Sequence, residues 1–306
     1  MKTLKTRDII ALGFMTFALF LGAGNIIFPP IVGMAAGENL LGASVGFLLT
    51  GVGLPLLGVV ALARVGGGLD TLTQPIGRIA GITMACAIYL TIGPLFATPR
   101  TATVSFEMGL APFVGNTPAM LLLFTIGYFV LVMLLSLFPG KLMDNIGKII
   151  TPVLIVALAI LGGAAFVAPA GGYSTATADY STQMAAFAQG FLQGYQTMDA
   201  LASLVFGIVI VNAIKAAGVT DTRLHTRYTV IAALIAATGL GLVYISLLYQ
   251  GDTSSALASN AATGVQILTA YVQHTFGPAG LWLLAAVILL ACLATGVGLV
   301  SACGAF

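Results

Sequence analysis

Long apolar runs alternate with short polar connections along the whole chain. A helix needs about 20 apolar residues to cross a bilayer, and eight runs reach that length. The pattern predicts an all-α, polytopic membrane protein whose single transmembrane domain covers residues 1–306. The predicted spans are residues 9–34, 40–63, 79–110, 119–138, 146–167, 184–213, 229–249 and 279–306.

Composition supports this class. Hydrophobic residues make up 59% of the 306 residues and charged residues only 7%, against about 25% charged residues in soluble domains. The net charge is +2, and no basic cluster is present, which excludes a nucleic-acid-binding surface. The 3 cysteines lie in apolar runs without the spacing of a disulfide framework or a metal site.

The basic residues predict the orientation. Of the 11 Lys and Arg residues, all except Arg100 fall on one side of the predicted spans if the N-terminus is cytoplasmic, as the positive-inside rule requires. These residues are Lys2, Lys5, Arg7, Arg64, Arg78, Lys141, Lys148, Lys215, Arg223 and Arg227.

Two spans contain helix-breaking or polar residues near their middle. The first span carries Gly22–Asn25 followed by Pro29 and Pro30, and the sixth carries polar residues around Gly194 within Gln193–Asp199. Glycine and proline both destabilise a helix interior. We therefore predict breaks near Gly22–Asn25 and Gln193–Thr197.

The two interrupted spans are five spans apart, so equivalent repeats containing them would have opposite orientations. Paired interruptions in inverted repeats indicate the binding site of a transporter. For each segment alone, the alternative interpretation is close helix packing at glycine.

Four motifs resemble the bacterial branched-chain amino acid:cation symporter family, also known as the branched-chain amino acid carriers. They are GAGNIIFPP at residues 22–30, GYQTMDALA at 194–202, LVFGIVIVNA at 204–213 and CLATGVGL at 292–299. The resemblance implies a symporter that imports leucine, isoleucine and valine across the bacterial inner membrane. It also implies a leucine-transporter-like inverted-repeat fold with broken first and sixth helices. Members of the family are longer, so the resemblance implies a C-terminally truncated carrier.

The chemistry of a zwitterionic substrate suits the two interruptions. Its carboxylate needs donors, which the N-terminus of a half-helix supplies, and its ammonium needs acceptors such as unwound carbonyls. Phe20, Tyr195 and Met198 are candidates for an apolar wall. The resemblance and this chemistry together predict substrate contacts from Gly22, Ala23, Gly24, Asn25, Gln193, Gly194, Tyr195 and Thr197.

The resemblance also implies a Na⁺ site and no organic cofactor or other metal. Its ligands would be backbone and hydroxyl oxygens. Related folds carry hydroxyl side chains at two adjacent positions, which correspond here to Ala294 and Thr295, so Thr295 has the only hydroxyl of the two. The residues implied are Ala18, Leu21, Ala291, Ala294 and Thr295.

Two charged residues, Asp199 and Arg100, lie well inside predicted spans, away from the span ends. Asp199 is a candidate proton site if the coupling ion is H⁺, or else a structural hydrogen-bond acceptor. Arg100 follows Gly93-Pro94 and Pro99, which predict a kink in the third span. Arg100 is a candidate for an outward gate with Glu107 or Asp199, or else it extends to the outer interface.

Other functional classes have less support. The sequence contains no metalloprotease or phosphate-loop motif, which argues against an enzyme, and a channel would suit uniform helices better than interrupted ones. A different small neutral or cationic metabolite on the same fold remains the alternative substrate. Membrane lipid is the expected environment, and the oligomeric state is left open.

Overall fold

The structure, a computed structural model, describes residues 3–66, 68–138, 142–259 and 261–304. Lys2 and Lys141 of the orientation argument, and Ala305 and Phe306 of the eighth predicted span, lie outside the described residues. The described residues are helical or in turns and loops, with no β-strand among them. This confirms the predicted all-α class.

The α-helices are numbered in chain order. They are α1 Thr6–Phe20, α2 Ala23–Ala36, α3 Leu40–Leu48, α4 Leu54–Val65, α5 Leu69–Thr73, α6 Arg78–Leu90, α7 Ala97–Val104, α8 Ala111–Val114, α9 Pro118–Ser136, α10 Thr151–Val167, α11 Gln183–Tyr195, α12 Asp199–Ala216, α13 Thr222–Thr253, α14 Gly264–Phe276 and α15 Pro278–Gly304. Short π-helical segments join several of them, at Leu49–Gly53, Thr91–Leu95, Ser105–Leu110 and Met143–Ile150.

Within the described residues, 7 helical runs are long and apolar enough to cross a membrane. They are Ala23–Val65, Arg78–Val114, Pro118–Ser136, Met143–Val167, Gln183–Ala216, Thr222–Thr253 and Pro278–Gly304. The run Ala23–Val65 joins the second half of the first predicted span to the whole of the second. Helix α1, with 15 residues, falls short of that length by itself.

Helix α14 was not among the predicted spans. It has 13 residues and follows a short loop after α13. Its apolar residues are too few to reach the length of a span, and the prediction treated this segment as a connection. Its buried face, which includes Ile267 and Tyr271, packs against α2 and α15.

Helices α3 and α11 form a close contact through glycines spaced four residues apart. A Cβ atom on Gly46 would overlap the carbonyl oxygen of Phe187, and one on Gly194 would lie 2.5 Å from the carbonyl oxygen of Phe47. Small residues at this spacing let two membrane helices approach closely. The contact fixes the end of α11, where the chain leaves the helix.

The long helix α13 supports the centre of the molecule. Both α1 and α2 pack along α13, while α12 packs against α4 and α15. The buried side chains of these helices form one continuous apolar core. The junction between α1 and α2 lies within this core, whereas the junction between α11 and α12 is only partly buried.

Candidate functional site

A narrow cavity lies where α1, α2, α7, α12 and α15 meet. The centre of a water molecule can occupy about 40 Å³ of it. Its apolar wall includes Leu19, Phe20, Ile92, Met198, Phe206 and Leu299. Its polar lining is Asn25, Arg100, Thr101, Thr197, Asp199 and Thr295. An apolar wall with a few convergent polar groups is typical of a small-molecule site.

The first interruption is at Leu21 and Gly22. Helix α1 ends at Phe20, the backbone of Gly22 is extended at φ −106° and ψ −166°, and α2 begins at Ala23. In a continuous helix the N–H of Gly22 would donate to the carbonyl oxygen of Ala18. It donates instead to Phe20 O at 2.8 Å and to the side-chain oxygen of Asn25 at 3.1 Å.

This break lies slightly earlier than predicted. Gly24 and Asn25 are already helical, in the first turn of α2. The first N–H groups of an α-helix lack intrahelical acceptors, and the residues of this turn, Ala23 to Asn25, line the cavity. The break therefore presents helix N–H donors to the cavity.

The second interruption is at Gln196, Thr197 and Met198. Helix α11 ends at Tyr195 and α12 begins at Asp199. Met198 has a left-handed backbone conformation at φ 68°, which is unfavourable for a residue with a side chain. The hydroxyl of Thr197 donates to the carbonyl oxygen of Gly194 at 2.8 Å and accepts the N–H of Asp199 at 3.4 Å.

Three buried polar side chains join the two interruptions. Asn25 Nδ2 donates to Asp199 Oδ2 at 2.6 Å and also contacts the hydroxyl of Tyr244. The Tyr244 hydroxyl donates to the same carboxylate oxygen at 2.8 Å. All three residues are at most 4% exposed. We call this set, Asn25, Asp199 and Tyr244, the central network.

Sequence reasoning did not identify Tyr244. A buried tyrosine hydroxyl usually needs a polar partner, but no partner was predicted for Tyr244. Tyr244 lies within the apolar run of α13, and its ring packs edge-to-face on Phe47 with centroids 5.2 Å apart. A tyrosine in an apolar run was visible in the sequence as a hydroxyl that needs a partner, but that partner, Asp199, is 45 positions away.

Arg100 lies beside the cavity on α7. The helix before it is distorted at Gly93, whose ψ is −114°, near the predicted kink. The guanidinium carbon lies 5.0 Å from the ring centroid of Phe28. Within the described part of the chain, the ion pairs within 4.0 Å are those of Lys148 with Asp8 and Asp144. Arg100 therefore has no carboxylate partner there.

The predicted gate partners of Arg100 differ in position. Asp199 lines the same cavity, but its carboxylate is hydrogen-bonded within the central network. Glu107 is exposed and lies outside the cavity lining. Arg100 is half-buried and contacts Phe28 next to the cavity.

The structure brings five of the eight predicted substrate-binding residues to the cavity. They are Gly22, Ala23, Gly24, Asn25 and Thr197. The other three are Gln193, Gly194 and Tyr195, which lie in the last turn of α11 and do not line it. The physical reason is that α11 stays helical to Tyr195. As a result Gly194 packs against α3, and Tyr195 is 47% exposed.

The residues of the implied Na⁺ site are all buried. The hydroxyl of Thr295 is 3.3 Å from the carbonyl oxygen of Ala18, which is the carbonyl that the first interruption leaves without the Gly22 N–H. Leu21 is one of the two non-helical residues at the break. Ala291 and Ala294 lie inside the uninterrupted helix α15.

Seven long apolar helical runs in the described part of the chain, four of which contribute residues to the cavity, define the class of multi-pass α-helical membrane proteins. Residues 5–306 match the protein family described as branched-chain amino acid transport protein. The chain belongs to this family, which confirms the family resemblance of the sequence motifs.

Several curated relatives are highly similar. The branched-chain amino acid transport system 2 carrier protein of Pseudomonas aeruginosa is 64% identical over 306 residues, which cover 100% of this chain and 70% of that relative. The branched-chain amino acid permease BrnQ of Escherichia coli K12 is 58% identical over 99% of this chain and 69% of its own length. The permease BraB of Bacillus subtilis is 45% identical over 99% and 68%.

Proposed function

We propose that this chain binds leucine, isoleucine and valine in the cavity at the two interruptions and carries them across the bacterial inner membrane together with Na⁺. The names of the relatives support the substrate class. The proposed architecture is a leucine-transporter-like inverted repeat with a cytoplasmic N-terminus, which the distribution of Lys and Arg supports.

The observation that carries this proposal is the meeting of two interrupted segments at one buried cavity. The helices α2 and α12 both begin at its lining, with Ala23 and Asp199 as their first residues. Helix N-termini favour an anionic group such as a substrate carboxylate. The cavity is narrow, and we propose that its lining moves apart when substrate enters.

The lining supports a substrate with a neutral side chain. Six large apolar residues, among them Phe20 and Phe206, form its wall. The carboxylate in the described lining belongs to Asp199, which Asn25 and Tyr244 already engage. A lysine side chain would therefore find no free carboxylate, and a glutamate side chain would require an apolar wall to accept a charge.

Na⁺ coupling is supported by the pairing of Thr295 with Ala18. The two oxygens are 3.3 Å apart, and hard oxygen ligands are those that alkali and alkaline-earth cations prefer in proteins. We propose that Na⁺ replaces the hydrogen bond between them, so that the hydroxyl turns its oxygen towards the ion. Backbone carbonyls at Leu21 and Ala291 would complete the set.

H⁺ coupling is the second candidate, because Asp199 is a carboxyl group buried between the interruptions. A carboxyl in this position could take up a proton when the substrate site changes state. The two candidates place the coupling ion at different residues, Thr295 or Asp199.

The substrate is tested by ligand-induced stabilisation. A ligand that binds only the folded state raises the melting temperature. We expect leucine, isoleucine and valine to raise the melting temperature of the purified chain in detergent, whereas lysine and glutamate leave it unchanged. Equal shifts with the charged amino acids would contradict the proposal of a neutral pocket.

The coupling ion is tested by measuring leucine binding and uptake by reconstituted protein against Na⁺ at fixed pH and against pH at fixed Na⁺. We expect Thr295→Ala to weaken the apparent affinity for Na⁺ by about 5- to 150-fold, because one buried polar contact is lost. Saturating Na⁺ should restore leucine affinity by linkage. Asp199→Asn should leave the pH profile nearly unchanged. If Thr295→Ala behaves like the wild type and Asp199→Asn abolishes a proton dependence, the coupling ion is H⁺.

A further inference from the structure

Arg100 forms no ion pair within 4.0 Å among the described residues, although Asp199 lines the same cavity. The guanidinium lines the cavity, and within the described ranges its nitrogens have no carboxylate oxygen within 4.0 Å. In the Asp199 carboxylate, Oδ2 is engaged in the central network, where it accepts hydrogen bonds from Asn25 and Tyr244. A cation that is partly removed from water favours a nearby anion.

Two distances locate this guanidinium. Its central carbon lies over the ring of Phe28, 5.0 Å from the ring centroid. Its Nη2 lies 3.5 Å from the place where a Cβ on Gly24 would be. Because Gly24 is in the first turn of α2, the fixed charge and the helix N-terminus lie at the same end of the cavity.

We propose that Arg100 binds the carboxylate of the substrate and that the carboxylate, more than the ammonium group, determines what enters the cavity. This proposal rests on the proposed function, because it assigns a partner to one end of that substrate. A guanidinium can hold a carboxylate through two parallel hydrogen bonds, and the first N–H groups of α2 can donate to the same oxygens.

The proposal extends the ligand class beyond amino acids. A branched-chain 2-oxo acid or 2-hydroxy acid has the same carboxylate and the same apolar side chain as leucine, but no ammonium. It should therefore bind the cavity. An amine of the same skeleton has no anionic group to neutralise Arg100 and should be excluded by charge repulsion.

The first experiment uses the unaltered chain in detergent. Competition with labelled leucine is measured for 4-methyl-2-oxopentanoate, 2-hydroxy-4-methylpentanoate, leucinamide and 3-methylbutylamine. We expect the two acids to compete, whereas leucinamide and the amine compete at least about 10-fold more weakly, as expected for one lost charge-assisted hydrogen bond. Equal competition by the amine and the acids would overturn the proposal.

The second experiment uses variants of the same chain. Arg100→Gln should weaken leucine binding by about 10- to 150-fold, and Arg100→Lys should retain more of it because the charge stays. Arg64→Gln is the matched control, because Arg64 is an exposed arginine in the last turn of α4, away from the cavity. Wild-type binding of leucine by Arg100→Gln would overturn the proposal.

The results separate this proposal from the proposed function. If leucine binds, but Arg100→Gln binds it like the wild type and the amine competes as well as leucine does, only the role of Arg100 is wrong. If leucine neither binds nor stabilises the unaltered chain, the proposed function itself is wrong. If Arg100→Gln does not fold, the competition series on the unaltered chain decides the proposal.

Discussion

At the first interruption the residue before the new helix is Gly22, whereas at the second it is Met198. Gly22 has an extended backbone, and its N–H is held at 3.1 Å by the side chain of Asn25. Met198 is left-handed, and the nearby bond from Asp199 N to the Thr197 hydroxyl is longer, at 3.4 Å. The first break is thus locally satisfied, while the second carries a backbone cost of about 1–2 kcal/mol.

The difference shows that the second interruption depends on contacts from outside itself. Its strongest contacts are those of the Asp199 carboxylate with Asn25 of α2 and Tyr244 of α13. Strained backbone persists only when the surrounding structure over-determines it. We therefore expect the central network to contribute more to stability than the local geometry of either break.

Asn25→Ala should have the largest effect, because this one side chain serves both interruptions. The change removes its contacts to Gly22, Asp199 and Tyr244. It leaves the buried carboxylate with one side-chain donor fewer, and we expect a loss of about 3 kcal/mol. The free energy of unfolding, measured by urea titration in detergent micelles, checks this value.

Asn39→Ala is the matched control for that change. Asn39 is also buried, and its side chain donates one hydrogen bond, at 2.8 Å to the carbonyl oxygen of Tyr180, away from the cavity. We expect it to cost about 1 kcal/mol and to leave the stabilisation by leucine intact. Equal losses from the two asparagine variants would contradict the special role of the central network.

Tyr244→Phe should have a smaller effect, since it removes one of the two side-chain donors to Asp199 Oδ2 and keeps the ring on Phe47. We expect a loss of about 2 kcal/mol, as for a hydrogen bond to a charged group. Tyr271→Phe is the control, because that buried hydroxyl donates to a backbone carbonyl at 3.4 Å. A greater loss for Tyr271→Phe than for Tyr244→Phe would reverse the expected order.

Much of the fold follows from the sequence, because apolar length and glycine or proline position act locally. The long runs gave the helices, and Gly22 with its neighbours gave a break within two residues of the observed one. The second break was predicted too early in the chain. The pattern around Gly194 indicates a low helix propensity, but it does not show which neighbouring helix the glycine packs against. Gly194 packs against α3, and α11 therefore continues past it as a helix.

The polar contacts of the site could not be derived in the same way. Asn25 and Asp199 were both singled out by their residue type, yet their direct contact joins positions 174 apart. Tyr244 lies further along the chain, within an apolar run. Only the packing of α2 and α12 against α13 brings these three side chains together, and periodicity along one helix contains no information about its partners.

The smallest effect is expected at Met198, where two substitutions isolate the backbone term. Met198→Ala and Met198→Gly lose nearly the same side-chain contacts, but only glycine adopts φ 68° without a steric cost. Met198→Gly should therefore be the more stable of the two by about 1 kcal/mol, a difference reduced by the greater entropy of unfolded glycine.

At Ala237, an ordinary helical position in α13, replacement by glycine should instead cost about 1 kcal/mol. Urea titration of all three variants in micelles measures the free energy of unfolding, which glycine relative to alanine should raise at position 198 and lower at position 237. Equal stability of the two Met198 variants would mean that the second interruption stores no strain. Backbone strain would then not explain why this interruption depends on the central network.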